Sequence, residues 1–302
     1  MQPSVRLASP IGSVLLRAVL LATAACAGAA LAGIAPVGLA IAAVAGLLCT
    51  IGVGVCLPSS GVFARPVLGV RTARHELALT FDDGPDPRWT PPLLDMLAAR
   101  GQRATFFVVG ERAERHAELL AEMARRGHEI ANHTWAHSFG TAFVPPRRLA
   151  RDLERANSVI ERATGVRPRW LRPPVGLLSP RIAIAARLAG LRLVSWTASA
   201  RDGVRSATAA GAFGRLDKAI APGAIIVLHD AALGEDREPI ARELLGLLLD
   251  RMEALRLSSV TLSELCSRGL PPPAPADAGS DDGADDHAEQ NTQGQPADRP
   301  RQ

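Results

Sequence analysis

Between residues 75 and 265 the chain repeats one alternation, a short apolar run of strand length followed by a stretch with helical periodicity. The runs are 76–81 (ELALTF), 104–110 (ATFFVVG), 128–133 (HEIANH), 169–174 (RWLRPP), 192–198 (RLVSWTA), 224–230 (AIIVLHD) and 259–262 (SVTL). The segments between them read as helices: 91–100 opens with Pro91 at a first helical position after a Thr90 N-cap, and 116–127 closes on Gly127. Residues 147–165, 181–190 and 239–255 are equally clear, and 206–220 is weaker because Gly211 and Gly214 lie inside it. Strands joined by helices must run parallel, since the helix carries the chain back to the starting edge. Seven evenly spaced units of this kind point to an α/β barrel rather than an open sheet.

The flanks have a different character. No charged residue occurs between Arg17 and Arg65. A membrane span needs about 20 apolar residues, so this stretch suits two helices turning near Gly33 and Pro36. A cleaved signal peptide would leave 37–57 unexplained. The expected organisation is a membrane hairpin over 1–66, a soluble domain over 67–270, and a tail over 271–302. That tail contains no aliphatic residue larger than Ala and is expected to be disordered. Arg6 and Arg17 before the hairpin, with Arg65, Arg71 and Arg74 after it, favour both ends on the cytoplasmic side of a bacterial-type cell membrane. Charge placement alone leaves the face carrying the soluble domain open.

The net charge is +4, and almost every base is Arg, spread along the chain without a concentrated stripe. No nucleic-acid partner is expected. The four cysteines (Cys26, Cys49, Cys56, Cys266) make neither a disulfide framework nor a CxxC site, so any metal must be held by His and carboxylate. Nothing in the sequence bears on the oligomeric state.

The chemistry-bearing residues collect at strand ends. Asp82 and Asp83 follow the first run, His133 and His137 the third, Arg172 ends the fourth, Asp202 follows the fifth and His229 ends the sixth. A parallel barrel opens all strand C-termini onto one rim, so these residues are expected to converge. His133 and His137 stand at i and i+4, which a helical turn would place on one face. Two His and one carboxylate form a ligand set for catalytic zinc with open positions. Adjacent acids diverge, so one can ligate metal while the other faces water as general base. His229 at the same rim can protonate a leaving group.

Taken in order, TFDDGP (80–85), NHTWAH (132–137), RPPVG (172–176), Trp196-x5-Asp202 and LHD (228–230) resemble the five motifs of NodB-homology polysaccharide deacetylases, the fourth carbohydrate esterase family. The resemblance covers roughly 75–265. It implies a distorted (β/α)7 barrel that removes N-acetyl groups from amino-sugar glycans of chitin-oligosaccharide or peptidoglycan type. It also implies a divalent metal, with Zn2+ the first choice. Asp82 resembles the general base; Asp83, His133 and His137 the metal ligands; Arg172 the residue holding Asp82; and His229 the general acid oriented by Asp202. The backbone N–H of Val175 would meet the oxyanion, and Pro173, Val175 and Trp196 would contact substrate. The sequence departs from the family pattern at Val175, where an aromatic is usual, and at Gly203, where Trp is usual; both alter the apolar wall near the acetyl group. Two alternatives stay open: a metal amidase or deformylase of the same fold acting on a lipid-linked sugar, and a non-catalytic glycan-binding membrane protein.

Overall fold

The computed structural model describes residues 3–202, 206–231 and 240–267. The tail expected to be disordered, and Gly203, lie outside the described residues.

After a short strand β1 (Ser4–Leu7) come two long helices, α1 (Ile11–Leu31) and α2 (Val37–Cys56). Gly33, in the left-handed region at φ 69°, makes the turn between them. At 21 and 20 residues, each is about 30 Å long, the thickness of a bilayer core. Apolar side chains face outward along both, with Leu21 73% and Ile41 65% exposed. Water would solvate such a surface poorly; hydrocarbon would not.

Strand β2 (Val67–Arg71) follows and pairs antiparallel with β1. The alternating region then unfolds as β3 (Glu76–Asp82), α3 (Thr90–Ala99), β4 (Ala104–Val108), α4 (Gly110–Arg115), α5 (Ala117–Arg125) and β5 (Glu129–Asn132). It continues through α6 (Pro146–Thr164), β6 (Trp170–Leu171), α7 (Pro180–Leu188), β7 (Arg192–Leu193), β8 (Ala198–Ser199) and α8 (Ala209–Leu216). Last come β9 (Ile225–His229), α9 (Ala241–Ala254), β10 (Ser258–Ser259) and α10 (Leu262–Cys266). In α6 the buried Leu149, Leu153, Ala156 and Ile160 recur at helical spacing, and Gly165 ends the helix at φ 74°.

The strands form a curled, parallel half-barrel in the order β7-β6-β5-β4-β3-β9-β8, with β10 also paired to β3. Leu79, Phe81, Phe106 and Leu228 face the helices α3, α8 and α9 in the main core. The Phe81 and Phe106 rings stack 4.9 Å apart. Each fully buried side chain of this size contributes about 1.5–3 kcal/mol relative to exposure, which fixes the sheet on which the rim residues stand.

Three local expectations are corrected. The run 192–198 is not one strand: β7 and β8 lie at opposite edges of the sheet, and residues 194–197 cross the gap between them. Thr90 is not an N-cap but the first residue of α3; its hydroxyl is engaged by Asp86 and Asp230 instead. Residues 1–66 hold more than the two apolar helices, because Ser4–Leu7 pairs with Val67–Arg71 of the segment that follows.

The gap between the edges is occupied by β2. Val67 bridges Val194, Ser195 N donates to the Val67 carbonyl at 2.8 Å, and Val70 N donates to the Gly223 carbonyl at 2.8 Å. The strand completing the barrel is thus paired to β1 and reached from the hairpin. The other end of the hairpin is fastened too: Leu178 N donates to the Val55 carbonyl at 3.1 Å, and Arg65 Nε to the Ala8 carbonyl at 3.0 Å. At Gly61 (φ 67°) a Cβ would lie 1.8 Å from the Ser9 carbonyl oxygen, so only glycine permits this approach.

Candidate active site

Parallel pairing brings the strand ends to one level. Asp82 is in register with His229 on β9 and Phe107 on β4, while Asn132 on β5 is in register with Leu171 on β6. Asp82, Asp83, His133, His137 and His229 all line a single cavity of about 1000 Å³, the upper end of the range for ligand pockets.

Beyond Asp82 the backbone turns, with Asp83 at φ 78°. Asp230 secures the turn: its Oδ1 accepts from Gly84 N at 3.0 Å and its Oδ2 from the Thr90 hydroxyl at 2.7 Å. Burial pushes the Asp230 carboxyl up to about 7. A Cβ on Gly84 would come 2.2 Å from Asp230 Oδ2, so this glycine is required for the clasp.

His133 and His137 reach the site by a route that differs from the expected helical turn. Residues 133–138 are non-helical, and Thr134 and His137 are both left-handed, at φ 70° and 48°. Asn132 Oδ1 accepts from Thr134 N at 2.8 Å, and the Thr134 hydroxyl accepts from His137 N at 3.2 Å. Gly110 N and Glu111 N donate to the Thr134 and Trp135 carbonyls. This loop folds both imidazoles toward Asp83. Their Nε2 atoms lie 3.3 Å (His133) and 3.1 Å (His137) from Asp83 Oδ1.

Those three atoms are arranged as a cation site. Asp83 Oδ1 is buried and receives no hydrogen bond of good geometry, which leaves it open to a cation. The three donor atoms lie within 4.8 Å of one another. His133 Nδ1 stands 2.6 Å from the Arg172 carbonyl, which can only accept, so the proton sits on Nδ1 and leaves the Nε2 lone pair for a metal. Burial would raise the Asp83 carboxyl, but its close contact with the imidazoles, His133 first, holds it well below the usual carboxylate range. Burial pushes His137 down, favouring the neutral, ligating form. The residues present therefore fit a divalent cation.

Asp82 turns the other way. Arg172, fully buried, gives Nη1 to Asp82 Oδ1 at 2.6 Å and to the Thr80 hydroxyl at 2.9 Å, and Nη2 to the Ser195 carbonyl at 3.1 Å. Its guanidinium lies 4.1 Å from the Phe107 ring. Across the cavity His229 Nδ1 is 2.7 Å from Asp202 Oδ1, and His229 N donates to Asp202 Oδ2 at 2.9 Å. Burial works against the imidazolium, but the hydrogen bond and charge of Asp202 dominate and lift its pKa to about 9.

Val175 and Trp196 line the cavity, whereas Pro173 is buried behind it and accepts from Gly176 N at 3.0 Å. Val175 is left-handed at φ 50°, a rare state for a β-branched residue and one that recurs at functional sites. Thr80, Asn132 and Asp230 were not singled out by sequence reasoning. Asn132 and Asp230 lie inside the quoted motifs, and Thr80 opens the first of them.

A family model described as "Polysaccharide deacetylase" matches residues 69–194, a span that holds Asp82, Asp83, His133, His137 and Arg172 and ends before Asp202 and His229. The chitooligosaccharide deacetylase of Sinorhizobium fredii is 37% identical over 172 residues, covering 56% of this chain and 78% of that protein. A peptidoglycan-N-acetylglucosamine deacetylase of Bacillus cereus is 33% identical over 195 residues, covering 63% of this chain and 87% of the relative. Among solved structures, a family 4 acetyl xylan esterase from Clostridium thermocellum, in complex with a cobalt ion, matches with a TM-score of 0.58 and 32% identity, over 64% of this chain and 90% of that one.

Proposed function

The chain belongs to the polysaccharide deacetylase family, and from that premise we propose that it hydrolyses the N-acetyl amide of amino-sugar glycans of chitin-oligosaccharide or peptidoglycan type. We propose further that it does so from a membrane, anchored by α1 and α2. The observation that carries the reaction is the division of charge around the cavity. A carboxylate with two imidazoles that could hold a cation is flanked by a carboxylate held on Arg172 and an imidazolium held on Asp202.

Asp83, His133 and His137 would hold the cation, which when bound supplies Lewis-acid chemistry, acidifying water and polarising an amide carbonyl. Asp82 accepts the proton of the attacking water. Arg172 keeps the Asp82 carboxylate aimed. The backbone N–H of Val175 meets the oxyanion as the C–O bond forms. His229 gives its proton to the sugar nitrogen as the C–N bond breaks, releasing acetate and a free amine. Asp202 fixes the ring of His229 and keeps it charged. The wall built by Val175 and Trp196 sets which acyl group and sugar fit.

Two results are expected. Mass spectrometry of N-acetylated oligosaccharides incubated with the full chain should show stepwise loss of acetyl groups that a chelator abolishes and added divalent metal restores. Unchanged masses across chitin and peptidoglycan fragments would refute the reading. The second concerns pH. His229 acts as an acid, so kcat/KM should fall as pH rises through about 9. In Asp202→Asn the charge supporting the imidazolium is gone, and the alkaline limb should move to lower pH. A limb that stays in place would remove Asp202 from this role.

A further inference from the structure

We infer that the amino sugar this enzyme deacylates is carried on a membrane lipid through an anionic, phosphate-type linkage. The inference deepens the deacetylase reading and rests on it.

The cavity that holds Asp83, His133 and His137 is lined on its far side by Cys56, Leu57, Pro58 and Ser59, where α2 ends, and by Arg6 of β1. The reaction centre and the root of an apolar helix thus share one space. This wall is fixed rather than casual, because the Leu178–Val55 hydrogen bond and the β1–β2 pairing hold it against the barrel. Two further lining residues, Phe139 and Val175, are exposed apolar groups at 69% and 58%, and Leu57 adds a third at 54%. A glycan polymer extending this way would bring its hydroxyls against hydrocarbon without hydrogen-bond partners, a costly arrangement. A lipid chain leaving the sugar in the same direction would stay in its own solvent.

Charge selects the linkage. Arg6, Arg201 and Arg215 line this cavity, and among the described residues the only carboxylates lining it are Asp82 and Asp83. Asp82 is neutralised by Arg172 and Asp83 belongs to the cation site. Among the described residues none of the three arginines forms an ion pair; Arg215 donates to the Ala200 carbonyl. Three guanidinium groups without a carboxylate are an excess that a neutral polysaccharide does not answer and a phosphate or diphosphate ester does.

The test uses the full chain in lipid nanodiscs and three probes bearing N-acetylglucosamine: its geranylgeranyl diphosphate ester, its methyl diphosphate ester, and chitotetraose. The geranylgeranyl probe should exceed both others in kcat/KM by about tenfold or more, roughly 1.4 kcal/mol. Arg6→Gln combined with Arg201→Gln should raise its KM about tenfold with a much smaller change in kcat. Equal turnover of the geranylgeranyl and methyl probes would overturn the lipid assignment, as would chitotetraose matching the geranylgeranyl probe; either leaves the deacetylase reading standing. A KM unmoved by the arginine changes would overturn the anionic linkage. Failure to deacetylate any of the three would overturn both the inference and the reading beneath it.

Discussion

Asp82→Asn should bind its divalent ion as well as the parent does and lose turnover by about 10²- to 10⁴-fold, the range for removing a positioned general base. Asparagine keeps the shape and one acceptor for Arg172 Nη1, at present 2.6 Å from Asp82 Oδ1, so the change should not empty the buried site around the guanidinium. What it removes is the ability to take a proton. Metal content by elemental analysis and turnover by product mass together separate the two roles. Loss of the metal along with activity would place Asp82 among the ligands, and retained turnover would give the base role to another group.

Arg172→Met is expected to be the most damaging single change to stability. Arg172 is fully buried, and it forms the ion pair with Asp82 while also donating to the Thr80 hydroxyl and the Ser195 carbonyl. Removing one member of a buried ion pair strands the other and costs about 3–5 kcal/mol. In a domain of this size that lowers the melting temperature by on the order of 10 °C. Thermal denaturation of the detergent-solubilised chain measures it. Asp82→Asn, which leaves the guanidinium an acceptor, should cost much less, and equal losses for the two would contradict this account of the pair.

The parallel strands were legible in the sequence because each is an apolar run closed by a turn, and a strand buried on both faces needs little else to be recognised. The convergence of Asp82, Asp83, His133, Arg172 and His229 followed from that topology. Less was legible where the backbone departs from common conformations. Thr134 and His137 adopt left-handed states with no glycine to announce them, so the HTWAH segment reads as a helical turn when it is a loop held by Asn132 and Thr134. Strands β1 and β2 escaped notice for another reason. Ser4–Leu7 is short and largely exposed, and its partner lies some sixty residues away, so no local periodicity marks the pair. Thr90 has the residue type of a cap, but its hydroxyl serves Asp86 and Asp230, contacts that only the folded chain brings within reach.

Because the seam-filling strand Val67–Arg71 takes its second partner from the residues ahead of the hairpin, the apolar helices and the catalytic domain cannot be treated as interchangeable parts. A soluble version trimmed to begin at 67 would carry a bare sheet edge where Ser4–Leu7 had been, a surface that invites association between copies. Biochemists seeking a well-behaved fragment would do better to keep the first residues and shorten the helices through a tight loop between Ala8 and Pro66, whose backbones are already hydrogen-bonded at 3.1 Å.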